Sequence, residues 1–314
     1  MMFDIVSVGS ATLDAFLKSN QFPLTPEVVG SKIEVDDLLL ASGGGGSNTA
    51  AGFSRLGLRT ALIARFGEDL FGNLVVEDLK KEEFDTQYLV QRKDDQTDFS
   101  TILVNPDGSR TVLVHRGKTR IDESIFPWEI LDQTGWLYLA SLEGNVDLLA
   151  KVVEKAVEKQ VKVAFNPGSR ELKTGGEIAQ IFPKLKVLIL NESEAKMFSS
   201  ETDTLKAFDK VADLGAGITV VTCGRSGAYL RNGDNRLFAE IFSVPAVDET
   251  GAGDAFSTGF IGGLVKGLTL ENSLKLGMAE SASVVSAVGC KTGLLKQGEI
   301  DSWLEKPLGI KKLE

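Results

Sequence analysis

Six short runs dominated by Val, Ile and Leu recur along the chain with helix-length segments between them: FDIVSVG, TALIARFG, GWLYLAS, VKVAFNPG, KVLILNE and GITVVTCG. A strand that is apolar at consecutive rather than alternate positions is buried on both faces, which places it in a parallel sheet covered by helices on either side. The pattern therefore predicts a doubly wound α/β layout. Between the runs, Val146 to Gln160 (VDLLAKVVEKAVEKQ) spaces apolar residues at i, i+3 and i+4 with Lys and Glu between them, and residues 203–214 do the same. Both read as amphipathic helices facing a core, and so as scaffold.

Two segments break this rhythm. Residues 31–40 (SKIEVDDLLL) and 98–116 (DFSTILVNPDGSRTVLVHR) alternate as exposed strands do, and Pro106, Asp107 and Gly108 mark a turn inside the second. Together they predict a small antiparallel lid. No linker or internal repeat divides the chain, and 314 residues suffice for a deep core and a cleft in one domain, 1–314.

Composition excludes more than it selects. The formal charge, 34 − 44 = −10, argues against a nucleic-acid partner, since binding along a phosphate backbone needs a surplus of Lys and Arg. Cys223 and Cys290 lie far apart without metal-ligand spacing and read as free buried thiols in a reducing compartment. No basic segment followed by a long apolar run opens the chain, and no stretch approaches the roughly 18 apolar residues of a membrane span. The expected location is the cytoplasm, with no membrane partner.

Two glycine-rich turns carry the chemistry. In Ala41 to Ala50 (ASGGGGSNTA) four glycines precede Ser47 and Asn48 and open a helical stretch, so backbone amides can approach a polar ligand closely. Asn48 can donate to and accept from a ligand hydroxyl, and it can equally cap the helix. In Val247 to Phe260 (VDETGAGDAFSTGF) the strand-like EIFSVPAV leads into Gly251, Ala252 and Gly253, whose amides at a helix start suit the charge on a transferring phosphoryl group. Asp254 then sits in the first turn, where it can act as general base or merely cap.

Three further places lie where open α/β sheets bind ligands, beyond the carboxyl ends of strands. Asp14 follows the first strand and could accept from substrate hydroxyls. Asn191, Glu192 and Glu194 close the fifth run, and a carboxylate there suits Mg²⁺ held partly through water, although an acidic helix start has the same letters. Thr222, Gly224 and Gly227 form a turn against which a nucleotide could lie, or simply a hairpin. His115, the one histidine, has no partner recognisable in the sequence.

Taken together these residues resemble the PfkB, or ribokinase-like, family of carbohydrate kinases over nearly the whole chain. Gly44, Gly45, Gly46, Asn48, Ala50, Gly57 and Gly67 fit its N-terminal signature, while Asp248, Gly251, Ala252, Gly253 and Asp254 fit its C-terminal DTxGAGD, with Glu249 where the family usually has Thr. The resemblance implies a three-layer αβα sandwich with a mostly parallel central sheet and a β lid near residues 11–40 and 96–119. It implies that Asp14, Gly44, Gly45 and Asn48 hold a sugar, with Glu143 in LYLASLEG as a further sugar contact. Asn191 and Glu194 match its NxxE motif for Mg²⁺ and phosphate, and Thr222, Gly224 and Gly227 its nucleotide-side TxGxxG turn. Gly251 and Gly253 then serve both nucleotide and catalysis. A K⁺ site is implied beside Asp248 and Thr250, bordered by the loop SASVVSAVGCKTGLL.

The expected function is transfer of the γ-phosphoryl group of ATP to a hydroxyl of a small sugar, with Mg²⁺ and K⁺ as cofactors and Asp254 as base. A nucleoside is the rival substrate, suggested by the wording GCKTGL, and its base would need an apolar wall from Phe16, Phe99 or His115. A non-catalytic sugar-binding regulator would have lost the base, and an NAD-dependent oxidoreductase would need an early GxGxxG, which neither glycine cluster supplies. A homodimer paired through the lid strands is expected, because exposed strand edges invite a partner.

Overall fold

The computed structural model describes residues 1–28, 30–118 and 120–313. Numbered in chain order, ten of its strands form one sheet: β1 (Ile5–Val8), β4 (Thr60–Gly67), β5 (Leu89–Arg92), β8 (Trp136–Leu139), β9 (Lys162–Phe165), β10 (Val187–Asn191), β11 (Ile218–Thr222), β12 (Ala228–Asn232), β13 (Asn235–Ala239) and β14 (Ile310–Lys312). Their order across the sheet is β14-β13-β12-β11-β10-β9-β8-β1-β4-β5. The six apolar runs are β1, β4, β8, β9, β10 and β11, and each pairs in parallel with its neighbours among them. From β11 onward the chain turns back as hairpins, so β12 to β14 are antiparallel.

Helices are α1 (Gly45–Arg55), α2 (Leu70–Leu79), α3 (Val146–Glu158), α4 (Ser169–Leu172), α5 (Gly176–Ala179), α6 (Glu192–Ser199), α7 (Thr204–Ala212), α8 (Ala252–Val265), α9 (Leu270–Val285) and α10 (Ile300–Glu305). Successive residues of each parallel strand feed opposite layers. Val6, Val8, Leu137 and Leu139 pack with Leu149, Val152 and Val153 of α3 and Phe208 of α7. Ile5 and Tyr138 pack on the other side with Phe53 of α1 and Phe260 of α8. Two apolar layers on one sheet explain why these strands read as unbroken hydrophobic runs, and they make the fold a three-layer αβα sandwich.

The remaining strands, β2 (Thr12–Lys18), β3 (Asp37–Gly43), β6 (Phe99–Val104) and β7 (Arg110–His115), form a second sheet in the order β3-β2-β6-β7. It is mixed rather than antiparallel as expected: β2 and β6 run parallel, and the hairpin partners β3 and β7 are antiparallel to them. Both β2 and β6 leave the carboxyl edge of the large sheet, after β1 and β5 respectively, and so head the same way. The strand expected at 31–40 begins at Asp37 and continues to Gly43, because its ladder reaches only from Thr12↔Gly43 to Lys18↔Asp37 and residues 31–36 run past the end of β2. The limits 11–40 and 96–119 also take in Val29 and Thr119, which lie outside the described residues. EIFSVPAV is no strand either. Pro245 lacks the N–H that a ladder needs, and the segment crosses the carboxyl edge as a cleft wall.

Candidate active site

Two helix starts meet over the end of β1. A Cβ on Gly46 would lie 2.7 Å from the carbonyl carbon of Gly9, so only glycine lets the first turn of α1 press onto the strand end. The Ser7 hydroxyl, buried beneath, donates to the Gly46 carbonyl at 3.0 Å. Asn48 is thereby held inside the turn, and its Nδ2 donates to Oδ2 of Asp254 at 2.9 Å, across 206 residues of sequence. Neither residue caps its helix: the N-cap positions are Gly44 and Gly251, without side-chain cap bonds. Oδ1 of Asn48 is buried without a hydrogen-bond partner among the described residues, an acceptor in need of a donor.

Gly251 has φ 79°, and a Cβ there would sit 2.8 Å from that of Cys290. This tight entry brings the first-turn amides of α8, which have no intrahelical acceptor, to the wall formed by Gly251, Ala252 and Gly253, where the Ala252 N–H donates to the Glu249 carbonyl at 3.3 Å. Asp254 follows, half-buried, and burial pushes its carboxyl above the ordinary range while the Asn48 amide pulls it back. A Cβ on Gly45 would lie 3.5 Å from its other oxygen.

Asp14 sits within β2 rather than in a turn after β1, paired in register with Ser100 of β6. Its Oδ1 accepts from the Thr12 hydroxyl at 3.0 Å, and Ser100 also hydrogen-bonds it. Burial raises its carboxyl, with the Ser100 and Thr12 hydroxyls and Lys291 opposing and Asp254 adding to the rise. Asp14 from the small sheet and Asp254 from the first turn of α8 thus lie close enough to act on each other. Glu143 lies beyond β8 at φ 57°, with Arg116 at 2.5 Å from Oε1 and Arg170 at 2.8 Å from Oε2. Its carboxylate is committed to two arginines that sequence reading left unremarked.

From Asp254 a cleft of about 830 Å³ runs along the carboxyl ends of β9 to β11. Asn166, Asn191, Thr222 and Gly224 line it opposite Ile241 to Val244. Asn191 and Glu194 form a capping box: Oδ1 of Asn191 accepts from the Glu194 N–H and Oε2 of Glu194 from the Asn191 N–H, each at 2.9 Å. Burial raises the Glu194 carboxyl despite those bonds, and Asp254 is close enough to add to the rise. Gly227 at φ 108° closes the turn after Thr222, accepting from the Cys223 amide at 2.8 Å. Asn166 escaped the sequence reading, although its place directly after a parallel strand was a usable signal.

Mg²⁺ commonly takes one or two protein carboxylates and fills its octahedron with phosphate and water. Glu194, joined to the cleft-lining Asn191, fits that sparse demand, and among the described residues no group of three or more His, Cys, Asp or Glu is placed to hold a metal alone. K⁺ fits the side chains less well. Oδ1 of Asp248 accepts from the Thr250 N–H (2.9 Å) and hydroxyl (2.6 Å), and Oδ2 from the Gly289 N–H (3.0 Å), so the pair clasps two loops and no step is routed through that ion.

A carboxylate beside helix-start amides, facing a cleft on the carboxyl edge of a three-layer sandwich, is the equipment of a phosphotransferase acting on hydroxyl groups. Comparison with known proteins agrees. Residues 2–297 match the pfkB family carbohydrate kinase. A ribokinase of Mus musculus is 27% identical, with 92% of this chain and 90% of that one covered, and an uncharacterized sugar kinase of Archaeoglobus fulgidus is 29% identical over 77% of this chain and 98% of its own. The structure of Arabidopsis thaliana ribokinase complexed with ribose and ATP superposes with a TM-score of 0.82 at 22% identity, covering 98% of this chain and all of that one (100%). The chain belongs to the PfkB family of carbohydrate kinases.

Proposed function

We propose that the chain transfers the γ-phosphoryl group of ATP to a hydroxyl of a small sugar. The observation that carries this reading is the Asn48–Asp254 pair. It presents a base of raised pKa beside helix-start amides, together with an unpartnered buried acceptor suited to a second hydroxyl. The sugar lies between the two sheets against Asp14 and Asn48, and the four-stranded sheet acts as its lid. The nucleotide occupies the cleft along β9 to β11, its phosphates toward Gly251, Ala252 and Gly253. A bound Mg²⁺, held from the Glu194 side, would neutralise charge on the β- and γ-phosphates. The sugar oxygen forms its bond to γ-phosphorus in line as the bond to the bridging oxygen breaks. Asp254 takes the hydroxyl proton, ADP leaves with the bond electrons, and the amides stabilise the equatorial oxygens.

A sugar is preferred to a nucleoside because none of the three candidates for an aromatic wall, Phe16, Phe99 and His115, is free to form one beside Asp14. Phe99 and His115 pair with each other in register, on the opposite face of the small sheet from Asp14 and Ser100, and Phe99 stacks on Phe71 at 4.8 Å. Phe16 shares Asp14's face but packs with Ile102, Val104 and Cys290. The two free buried cysteines accord with a reducing cytoplasm, and no helix among the described residues is long and apolar enough to cross a membrane.

The test is ADP release with ATP and Mg²⁺ across ribose, fructose, 2-keto-3-deoxygluconate, fructose phosphates, adenosine, cytidine and inosine. Asp254→Asn should keep the wild-type melting temperature and lower kcat by about 10²–10⁴-fold, the worth of a positioned base. Near-normal turnover in that variant would remove Asp254 from the mechanism, and a nucleoside hit would move specificity away from the sugar reading.

A further inference from the structure

Glu249 stands where the family signature usually has Thr, and the structure ties it to two arginines from distant parts of the fold. Its Oε1 accepts from Nε and Nη2 of Arg225 at 3.0 and 2.9 Å, in the turn after β11. Its Oε2 lies 3.7 Å from Nη1 of Arg110, the first residue of β7 in the small sheet. The backbone repeats the link, for the Glu249 N–H donates to the Gly108 carbonyl in the β6–β7 turn at 3.3 Å. All three side chains line the same cleft as Gly251 to Asp254. Two guanidinium groups meet here, Glu249 within ion-pair reach of both and Asp107 close enough to Arg225 to feel its charge, in a chain whose formal charge is −10.

The arrangement is poor as a structural brace. The side chains are 33% (Arg110), 68% (Arg225) and 33% (Glu249) exposed, and ion pairs so open to water contribute little to stability. It is well suited to exchange, since guanidinium forks bind phosphate oxygens in two-pronged fashion and a polyphosphate offers more charge than one carboxylate. An incoming polyphosphate would also repel Glu249. We propose that Arg110 and Arg225 are a side-chain clamp for the polyphosphate of a nucleoside triphosphate, and that Glu249 is the anion that holds them in place until the nucleotide displaces it. Because Arg110 belongs to the small sheet, the exchange links nucleotide arrival to the position of that sheet. This rests on reading the cleft as the nucleotide site.

The test is calorimetric binding, without sugar, of AMP, ADP and a non-hydrolysable ATP analogue with Mg²⁺ to wild type, Arg110→Gln, Arg225→Gln and Glu249→Thr, each first shown to melt like wild type. Each arginine variant should weaken the ATP analogue about tenfold, the scale of one charge-assisted contact, leave AMP unchanged and flatten the salt dependence. Glu249→Thr should tighten the analogue several-fold and again leave AMP alone. Arginine variants that keep the wild-type ratio of analogue to AMP affinity would overturn the clamp, as would weaker binding in Glu249→Thr. Wild type that binds none of the three nucleotides would sink the clamp and the nucleotide reading together.

Discussion

A side chain in this site is defined by what it touches across the chain. Asp254 titrates high because it is half-buried, and the Asn48 amide is the group that holds its pKa down. A general base works ionised, so activity should be present above the raised pKa and lost as pH falls through it. Asn48→Leu removes the opposing hydrogen bond and should move the acid limb of kcat/KM to higher pH; a limb that stays where wild type has it would mean that another group titrates. Asp254 and Asn48 were legible in the sequence because each lies in a glycine-rich helix start whose backbone demands are local, and Asp14 because it follows the first apolar run. Arg110, Arg225 and Glu249 were not, since an ion pair between residues 24 or more apart leaves no periodicity to read. Glu143 shows the reverse: its letter suits a hydroxyl, but its neighbours Arg116, just past β7, and Arg170, in α4, became visible only once the fold brought those segments to the loop after β8.

At the scale of elements, the parallel strands were legible because burial on both faces writes itself as consecutive apolar letters, whereas EIFSVPAV shows the limit of that rule. Apolar residues can line a cleft as well as a sheet, and only Pro245 hinted at the difference. Packing between α8 and α9 holds a second surprise in Glu280, fully buried on α9. Its Oε2 accepts from the Leu295 N–H at 3.0 Å and its Oε1 has no partner among the described residues. Burial pushes the carboxyl up to about 8 from its ordinary 4.5, against the Leu295 amide and Arg55. The folded state therefore holds a proton that the unfolded state releases. The stabilisation is complete below 4.5, declines as pH rises and is lost once pH passes through about 8. Glu280→Gln lacks this titration, so the melting temperature of wild type should fall relative to the variant across that window and run parallel to it above. Equal pH dependence in the two proteins would show Glu280 ionised in the fold.

The molecule as a whole divides its small sheet between two tasks. One face carries Asp14 and Ser100 toward the site and packs Phe16 and Ile102 on the loop at Cys290. The other covers α2 at its inner end through Phe99 and Phe71, and farther out it exposes Leu38 (57%), Leu40 (51%) and Leu113 (56%). Register places these leucines on one surface, for Leu40 pairs with Ala15, Ala15 with Thr101 and Thr101 with Leu113. The strands that carry them, β3 and β7, are the two edges of the sheet. A twofold pairing over this surface would cover six half-exposed leucines at roughly 1 kcal/mol each. That only just offsets the lower range of association cost, about 4–15 kcal/mol, so edge hydrogen bonds must add to it and the dimer should dissociate at accessible concentrations. Sedimentation velocity should accordingly show a dimer that gives way to monomer on dilution toward the low micromolar range. Leu40→Lys, which sets two ammonium groups into the shared surface, should be monomeric throughout while its melting temperature stays near that of dilute wild type. The site faces the other way, so turnover per subunit in that monomer should persist at saturating substrate. A wild-type chain that is monomeric at every concentration would leave these leucines without a role in self-association.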